Sequence, residues 1–224
     1  MERTITESQK EVEGLPDYQT LKEMGVWKTV GESVIPLKEF RDDPVANKLD
    51  TPSGKIEIYS SRIAELAEQW ELPEGEKLTP LPEYVATWEG AEEAKKNEKY
   101  PLQCIGHHMK GRTHSSYGNV DWLRDDAHPQ TAWINPIDAK KRGIKNYDKI
   151  AVFNDRGHIH TTARVTPRIA PGVVSVPQGS WYNPDKKGID QGASVNTLTS
   201  WHPSPLAKGN AQHTALVQVE RIDK

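Results

Sequence analysis

Cysteine is the scarcest chemistry-bearing residue in this 224-residue chain, which has only Cys104. One thiol excludes an internal disulfide and any metal or cluster site built from several cysteines. No apolar run approaches the roughly 18–20 residues that cross a bilayer, and no signal peptide follows Met1. We therefore expect no direct insertion into a membrane. The compartment stays open at this point, since an export signal can lie on sequence outside the chain.

Apolar residues are also few. They make up 35% of the chain, or about 42% with its 16 glycines, which is below the roughly 45–50% of typical globular domains. The length suits one full domain with a second, smaller element. A core can form, but we expect part of the chain to be loop or to be buried against something absent.

Charge is divided unevenly along the sequence. Residues 1–100 hold 13 Lys and Arg against 22 Asp and Glu, whereas residues 101–224 hold 16 against 10 and contain all eight histidines. A basic, histidine-rich half favours an anionic ligand. The alternative is that the two halves neutralise each other. Nucleic acid is not expected as a partner, because the chain has no dense Lys/Arg stripe and no recognition-helix pattern.

Two short helices are predicted in the first part of the chain. The stretch PDYQTLKEMG (16–25) places Pro16 at the first helical position and Gly25 at the end. The stretch SRIAELAEQW (61–70) repeats apolar residues at helical spacing, which predicts an amphipathic helix.

The remainder of this part has little regular pattern. TPSGKIEIYS (51–60) predicts a turn and a short strand with Ile56 and Ile58 on one face. Residues 71–99 are rich in Pro, Glu and Lys, which is typical of an exposed connector. We therefore expect residues 1–99 to form a helical and extended N-terminal arm with too little core to stand alone.

From Tyr100 the pattern changes to short strands around one clear helix. The helix begins with Asn135 as its cap and Pro136 at its first position, with Asp138 in the first turn, and Gly143 closes it. Strands are predicted at 100–106, 131–135, 148–154, 158–166, 172–179 and 214–222. This pattern predicts a closed or nearly closed β-barrel over residues 100–224.

The stretch GHHMKGRTHSSYGN (106–119) contains three histidines, which raises the question of a metal site. His107, His108 and His114 do not have a recognised ligand spacing, and adjacent histidines on a strand point to opposite faces. The chain has no H-E-x-x-H motif. The spacing argues against zinc, although a histidine-metal hydrolase stays as an alternative.

The sequence contains no complete set of residues for nucleophilic catalysis. Cys104 lies in an apolar strand, which favours a small buried hydrophobe over a reactive thiol. Ser115, Ser116 and Ser180 lack a motif such as G-x-S-x-G that would expose a nucleophile. We therefore predict no catalytic residue in this chain.

An anion-binding surface accounts better for residues 106–119. Glycines let backbone approach a ligand, and Arg112 offers a planar fork suited to phosphate. Three further polar loops, at 177–184, 193–199 and 204–214, are rich in Gln, Asn, Ser, Trp and Gly. Taken singly these are ordinary polar turns. Together, in a basic barrel, they predict a large, polar, phosphate-bearing ligand.

Taken together, several stretches of this sequence resemble a known family. Over residues 50–222, with the weakest agreement in 71–99, the chain resembles the C-terminal part of the catalytic subunit of molybdopterin oxidoreductases of the dimethyl sulfoxide reductase type. The matching stretches occur in the same order as in that family. They are TPSGKIEIYS, HMKGRTHSSYGN, WINPIDAKKRGI, VFNDRG, VTPRIAPGV, QGSWYNP, VNTLT and SPLAKGNAQHT.

The resemblance implies a fold and a cofactor. The fold would be mainly β with a few helices, a six-stranded double-psi β-barrel of the aspartate-decarboxylase-like kind. Residues 100–224 would be the molybdopterin dinucleotide-binding barrel, and residues 1–99 the remnant of a preceding domain. The cofactor would be molybdopterin guanine dinucleotide, present as two copies (bis-MGD) with molybdenum in the intact enzyme.

The resemblance also implies the residues that contact this cofactor. Asn135 and Asp138 begin a helix, where capping is their expected role and cofactor contact a further one. The remaining residues lie in the polar loops: His108, Lys110, Arg112, His114, Ser115, Gln178, Gly179, Trp181, Asn196, Asn210 and Gln212. No metal ligand is expected, because the family's molybdenum ligand and iron–sulfur cysteines lie upstream of the matching region.

The implied function is that of a cofactor-binding portion, inactive by itself. The intact enzyme would transfer an oxygen atom and two electrons, with an S-oxide, an N-oxide or a related oxyanion as substrate. An iron–sulfur cluster would come only from missing N-terminal sequence. Expected partners are the other domains of the catalytic subunit, an iron–sulfur electron-transfer subunit and a membrane anchor subunit.

The expected location is the periplasm, or the outer face of the cytoplasmic membrane, of an anaerobic prokaryote. The alternative function is a stand-alone barrel that binds a ligand or a partner without redox activity.

Overall fold

The computed structural model describes residues 1–29, 31–110, 112–126, 130–210 and 213–222, with the backbone alone at 124–126. Gln212, one of the predicted cofactor contacts, lies outside the described residues. Contacts divide the chain into two compact units, Met1–Glu57 and Ile58–Lys224. None of the described helices is long and apolar enough to cross a membrane.

The first unit contains three short helices: α1 (Glu2–Ser8), α2 (Tyr18–Met24) and α3 (Lys38–Asp42). The predicted helix at 16–25 is confirmed as α2, but Pro16 is not its first residue. The Asp17 carboxylate accepts hydrogen bonds from the backbone N–H of Gln19 and Thr20, at 2.9 and 3.0 Å, so Asp17 is the cap. Gly25 ends the helix with φ 74°.

The predicted strand within residues 51–60 does not form. Its backbone is used in local turns, where Leu49 N–H donates to Gly54 O and Gly54 N–H donates to Thr51 O, both at 2.9 Å. Ile56 and Ile58 are 69% and 72% exposed. Alternating residues form a strand only beside a partner, and in the described part of the chain no strand pairs with this segment.

The second unit contains the remaining regular elements. The predicted helix at 61–70 is confirmed as α4 (Ser61–Gln69), capped by Ser60 Oγ, which accepts from Ile63 N–H. The other helices are α5 (Ala91–Ala94), α6 (Asp121–Asp126), α7 (Pro136–Lys141) and a 3₁₀ turn at Val195–Thr197. The strands are β1 (Leu102–His107), β2 (Thr131–Ile134), β3 (Lys149–Phe153), β4 (His158–Val165), β5 (Val173–Pro177) and β6 (Ala215–Arg221).

The six strands close into a barrel in the order β1-β5-β2-β4-β3-β6, with β6 pairing back onto β1. The pairs β1/β5 and β2/β4 are parallel and the others are antiparallel. Alternate residues point inward, so that Ile159, Thr161 and Ala163 of β4 are buried. The mainly β architecture and the closed six-stranded barrel are confirmed.

The helix predicted at Asn135 is confirmed in its details. Asn135 caps α7, Pro136 lies at its first position, and Lys140 and Lys141 lie in its last turn. Gly143 follows with φ 64°, which lets the chain leave the helix.

The second half of residues 71–99, the segment before β1, packs against the barrel. Ala94 and Tyr100 are buried beside Leu216. Both guanidinium Nη atoms of Arg156 donate to the Glu89 carboxylate at 2.7 Å. This half of residues 71–99 is therefore not the exposed connector that its composition indicates.

Candidate functional site

The directions of the strands place the polar loops at one end of the barrel. His107, the last residue of β1, pairs with Pro177, the last residue of the parallel strand β5. The antiparallel strands β2 and β6 begin at this end, with Thr131 and Ala215. We call it the loop end, formed by the described residues of 108–130, 154–157 and 178–214. It holds most of the predicted cofactor contacts.

Arg112 joins the loop after β1 to the end of β5. Its Nη2 donates to the backbone O of Gln178 at 2.5 Å and to Oε1 of Gln130 at 3.1 Å. Gln130 Nε2 in turn donates to Pro177 O at 3.0 Å. Arg112 Nε is buried and has no hydrogen-bond partner among the described residues. Burial lowers the pKa of the Arg112 guanidinium from its ordinary value.

The two loops also touch directly. Gly179 has φ +84°, and a Cβ built on it would lie 2.0 Å from His114 O. Trp181 Nε1 donates to Ser115 O at 2.8 Å, and a Cβ on Gly118 would lie 2.9 Å from the same nitrogen. Only glycine fits at these close approaches. His114, Ser115, Gly179 and Trp181 are therefore brought together, largely by backbone contacts.

Gln178 is buried behind these loops. Its backbone N–H donates to His107 O at 2.9 Å, and its side chain lies against Gly106, where a Cβ would be 2.6 Å from Nε2. His107, which has no predicted role, places its Nδ1 2.7 Å from Ser175 Oγ. Burial, followed by the nearby Arg164, lowers the pKa of His107.

A basic cavity of ≈ 590 Å³ opens beside the loop after β1. His108 and Lys110 line it together with Trp133, Arg164 and Arg168. Its described lining contains no acidic residue. Arg164 lies over the Trp133 ring, 5.3 Å from the centroid.

Two exposed amides line a second cavity at the loop end. Asn196 and Asn210 both border this space of ≈ 440 Å³, together with Trp201 and Lys208. Their side chains make no hydrogen bond within the described residues, so their donors and acceptors are available. The fully exposed Trp201 ring lies beside them.

Charge distinguishes the basic cavity from a third one. A space of ≈ 710 Å³ lies between residues 88–100 and the β3–β4 turn, and its lining contains four carboxylates and three cations: Glu89, Glu93, Glu98, Asp155, Lys96, Lys99 and Arg156. Its cations are paired with its carboxylates, so this space has no excess positive charge for a phosphate, whereas the basic cavity has one. The basic cavity and the exposed amides of Asn196 and Asn210 therefore fit an anionic ligand with polar edges.

Asn135 and Asp138 lie at the opposite end of the barrel, where β2 ends and β5 begins. Asn135 Oδ1 accepts from Ile137 N–H at 2.9 Å, and its Nδ2 donates to Ile169 O at 2.7 Å. Asp138 Oδ2 accepts from Gly172 N–H at 2.7 Å. Both side chains are buried and have structural partners. Cofactor contact by either residue stays a prediction.

Asp190 organises the loop end, although no motif assigned it a role. It is fully buried, and its carboxylate accepts from the backbone N–H of Asn183, Gly192 and Ser194 at 2.7–2.8 Å. An Asp followed by Gly and Ser at the second and fourth positions is the available sequence signal, since Asp caps nearby amides in turns.

Cys104 is confirmed as a buried core residue. It is 1% exposed, and burial raises the pKa of its thiol to about 12, which leaves it protonated and unreactive. Among the residues that the structure describes, no group of His, Cys, Asp and Glu is placed to hold a metal ion. His108 and His114 only place their rings edge to face, 4.8 Å apart.

Comparison with known proteins agrees with this geometry. The family model described as "Molydopterin dinucleotide binding domain" matches residues 102–216, from β1 into β6. The acetylene hydratase from Pelobacter acetylenicus has a similar fold, with a TM-score of 0.62 at 22% identity over 80% of this chain and 25% of that chain.

Curated relatives are similar over nearly the whole sequence. The chain is 50% identical to the dimethyl sulfoxide reductase DmsA of Escherichia coli (strain K12) over 99% of this chain and 27% of the relative. It is 34% identical to the dimethyl sulfoxide/trimethylamine N-oxide reductase of Cereibacter sphaeroides, over 92% of this chain and 25% of the relative. The chain thus spans about a quarter of these relatives, and it belongs to the molydopterin dinucleotide binding domains of the dimethyl sulfoxide reductase family.

Proposed function

We propose that this chain is the cofactor-binding portion of a molybdenum oxidoreductase and that its loop end, together with the adjoining basic cavity, binds molybdopterin guanine dinucleotide. The observation that carries the proposal is the basic cavity, whose described lining has no acidic residue and lies inside the region matched by the family model. A dinucleotide brings a pyrophosphate, which needs cations, and a guanine, whose polar edge needs paired donors and acceptors.

Each group of residues has a distinct part in this proposal. Lys110, Arg164 and Arg168 neutralise the pyrophosphate charge, and His108 adds a donor at the cavity rim. Asn196 and Asn210 offer amide donors and acceptors to a heterocycle. When bound, the molybdenum cofactor supplies two-electron redox chemistry, and the protein supplies orientation and electrostatics.

The intact enzyme, in this proposal, carries two copies of the dinucleotide and reduces an S-oxide or N-oxide by oxygen-atom transfer. The relatives named as dimethyl sulfoxide and trimethylamine N-oxide reductases support this substrate class. Its barrel has the double-psi connection, and residues 1–99 continue a preceding domain. The molybdenum ligand and any iron–sulfur cluster come from sequence outside this chain.

The proposed partners are the other domains of the catalytic subunit, an iron–sulfur subunit and a membrane anchor. The proposed location is the periplasm or the outer face of the cytoplasmic membrane. The isolated chain is expected to reduce no sulfoxide, because its described residues include no catalytic set.

The proposal is tested by binding of guanosine diphosphate, a probe for the nucleotide half of the cofactor. Lys110→Ala removes an ammonium group from the basic cavity, so we expect the dissociation constant to rise about tenfold or more, as for a lost charge-assisted hydrogen bond. Isothermal titration calorimetry measures this change. Lys140→Ala is the matched control, because Lys140 is exposed on α7 at the opposite end.

Two results would contradict the proposal. A wild-type chain that binds no guanosine diphosphate at millimolar concentration does not recognise the nucleotide at its loop end. Equal losses of affinity in Lys110→Ala and Lys140→Ala would show only a general effect of charge.

A further inference from the structure

The loop that follows β1 has a backbone that needs external support. His114 and Tyr117 have φ of 47° and 67°, in the left-handed region that residues with a Cβ rarely adopt. Within this loop the turn is closed by Ser116 N–H donating to Thr113 O at 2.9 Å. Such a conformation persists only when its surroundings hold it in place.

Three side chains supply that support, and we call them the loop bridge: Arg112, Gln130 and Trp181. Arg112 reaches from the loop to Gln178 O and Gln130 Oε1, and Gln130 reaches on to Pro177 O. Trp181 returns a hydrogen bond to Ser115 O. Residues on either side of the strained turn are thus held to the end of β5.

Arg112, a predicted cofactor contact, donates its hydrogen bonds to groups within the protein. Its Nη2 is used by a backbone carbonyl and an amide oxygen, both neutral, and its Nε is buried. Lys110, two residues earlier, is exposed and has no side-chain hydrogen bond within the described residues. The two cations on one loop therefore have different surroundings.

We infer that Arg112 is a positioning residue, which acts with Gln130 and Trp181 to hold the loop that presents His108 and Lys110 to the cofactor. The inference rests on the proposed function for its ligand. Gln130 becomes part of the site although it carries no charge and lies outside the motifs that predicted the site.

The salt dependence of binding distinguishes a positioning role for Arg112 from direct contact with phosphate. If Arg112 binds the anion, its loss weakens binding and makes the remaining affinity less dependent on salt, whereas loss of Gln130 has no such effect. If Arg112 positions the loop, Gln130→Met weakens binding to a similar extent. The double variant is then little worse than either single variant, because both remove one bridge.

The first measurement needs no ligand. Hydrogen exchange followed by mass spectrometry on the 224-residue chain reports the backbone N–H groups of Ser116 and Gln178. We expect exchange there to be at least about tenfold faster in Arg112→Ala and in Gln130→Met, with exchange in β3 and β4 unchanged. Trp181→Phe keeps a ring beside Gly118 but removes the donor to Ser115 O, and gives a third variant should another fail to fold.

The second measurement is the affinity for guanosine diphosphate at low and high salt. We expect Arg112→Ala, Gln130→Met and the double variant each to weaken binding about five- to twentyfold, with similar salt dependence, as for loss of a hydrogen bond to a charged group. Lys110→Ala is the contrasting variant: it should weaken binding and reduce the salt dependence without changing loop exchange.

Either of two outcomes would overturn the inference. Wild-type exchange at Ser116 and Gln178 in both bridge variants would show that the loop holds its own conformation. A loss of affinity and of salt dependence in Arg112→Ala alone, with Gln130→Met unaffected, would assign Arg112 to direct anion contact. A wild-type chain that fails to bind the nucleotide contradicts the proposed function, whereas the ligand-free exchange still decides the role of the bridge.

Discussion

Cys104 illustrates how a single side chain is controlled by its position. It points into the core from β1, next to the paired strand residue Val174. Burial penalises the thiolate, and the hydrogen bond from the backbone of Val176 offsets only part of that cost. The thiol therefore behaves as a small apolar group, and its acid–base equilibrium makes stability depend on pH only above its ordinary pKa of 9.0.

We predict that this contribution is lost as the pH rises. The unfolded chain releases the Cys104 proton near the ordinary value of 9.0, whereas the folded chain keeps it up to a pKa of about 12. Above pH 9 the free energy of unfolding should fall by up to about 1.4 kcal/mol per pH unit from this group. Urea denaturation of wild type and Cys104→Ala, compared at about pH 8 and about pH 10, isolates this component.

The opposite result would be equally clear. If both proteins lose stability in parallel between these pH values, the Cys104 thiol ionises at its ordinary pKa and is not buried in solution.

Asp190 and Arg112 show what residue types alone could not predict. The sequence placed Arg112 in the site as a phosphate fork, but its contact with Gln178, 66 residues later, depends on how β1 and β5 pair. Asp190 lies in GIDQGAS, a common polar turn pattern, and its burial depends on the same packing. Local chemistry was predictable, whereas partners distant in sequence were not.

Helix α7 shows the element that sequence predicts best. Its cap, first-position proline, basic last turn and closing glycine all act within about ten residues, so the signals need no information about the rest of the fold. The strand expected in residues 51–60 shows the converse, because a strand needs a neighbour that local alternation cannot supply.

Loss of the α7 cap should destabilise the barrel. Asn135→Ala removes the acceptor for Ile137 N–H and leaves the buried Ile169 O without its donor. We expect the free energy of unfolding to fall by about 2 kcal/mol, from a lost cap and a lost buried hydrogen bond. Denaturant unfolding monitored by tryptophan fluorescence measures this change.

Asn135→Asp is the informative companion variant. It keeps a carboxylate oxygen for the helix N-terminus but cannot donate to Ile169 O, so we expect a smaller loss from the cap and a remaining cost from the carbonyl. Wild-type stability in Asn135→Ala would show that neither hydrogen bond contributes.

At the scale of the whole second unit, Glu89 links four separate pieces of chain. Its carboxylate accepts from both Nη atoms of Arg156, in the β3–β4 turn, and from Leu216 N–H on β6. Arg156 Nε donates to Leu198 O. The half-buried ion pair of Glu89 and Arg156 thus links the segment before β1, the β3–β4 turn, the loop that contains Leu198 and strand β6. The side chains of Glu89 and Arg156 are 21% and 32% exposed.

We predict that Glu89→Ala lowers the free energy of unfolding by about 2 kcal/mol, because it leaves both Nη atoms of Arg156 and the Leu216 N–H without their acceptor. Residues 84–100 should then become more sensitive to proteolysis, which mass spectrometry of the fragments would locate. Glu98→Ala is the matched control, since Glu98 is exposed and has no hydrogen bond within the described residues. Equal proteolysis of the two variants would rule out Glu89 as the anchor.

The pairing of β6 with β1, which closes the barrel, affects when β1 can fold during synthesis. During synthesis β1 emerges first, yet it pairs only with β5 and β6, and Cys104 meets Ala215 about 110 residues later. Contacts so distant in sequence form slowly, because the intervening chain must lose entropy first. The earliest strand is therefore the one that waits longest for its neighbours, and the nascent chain must keep its apolar residues from misassociation until the last strand has left the ribosome.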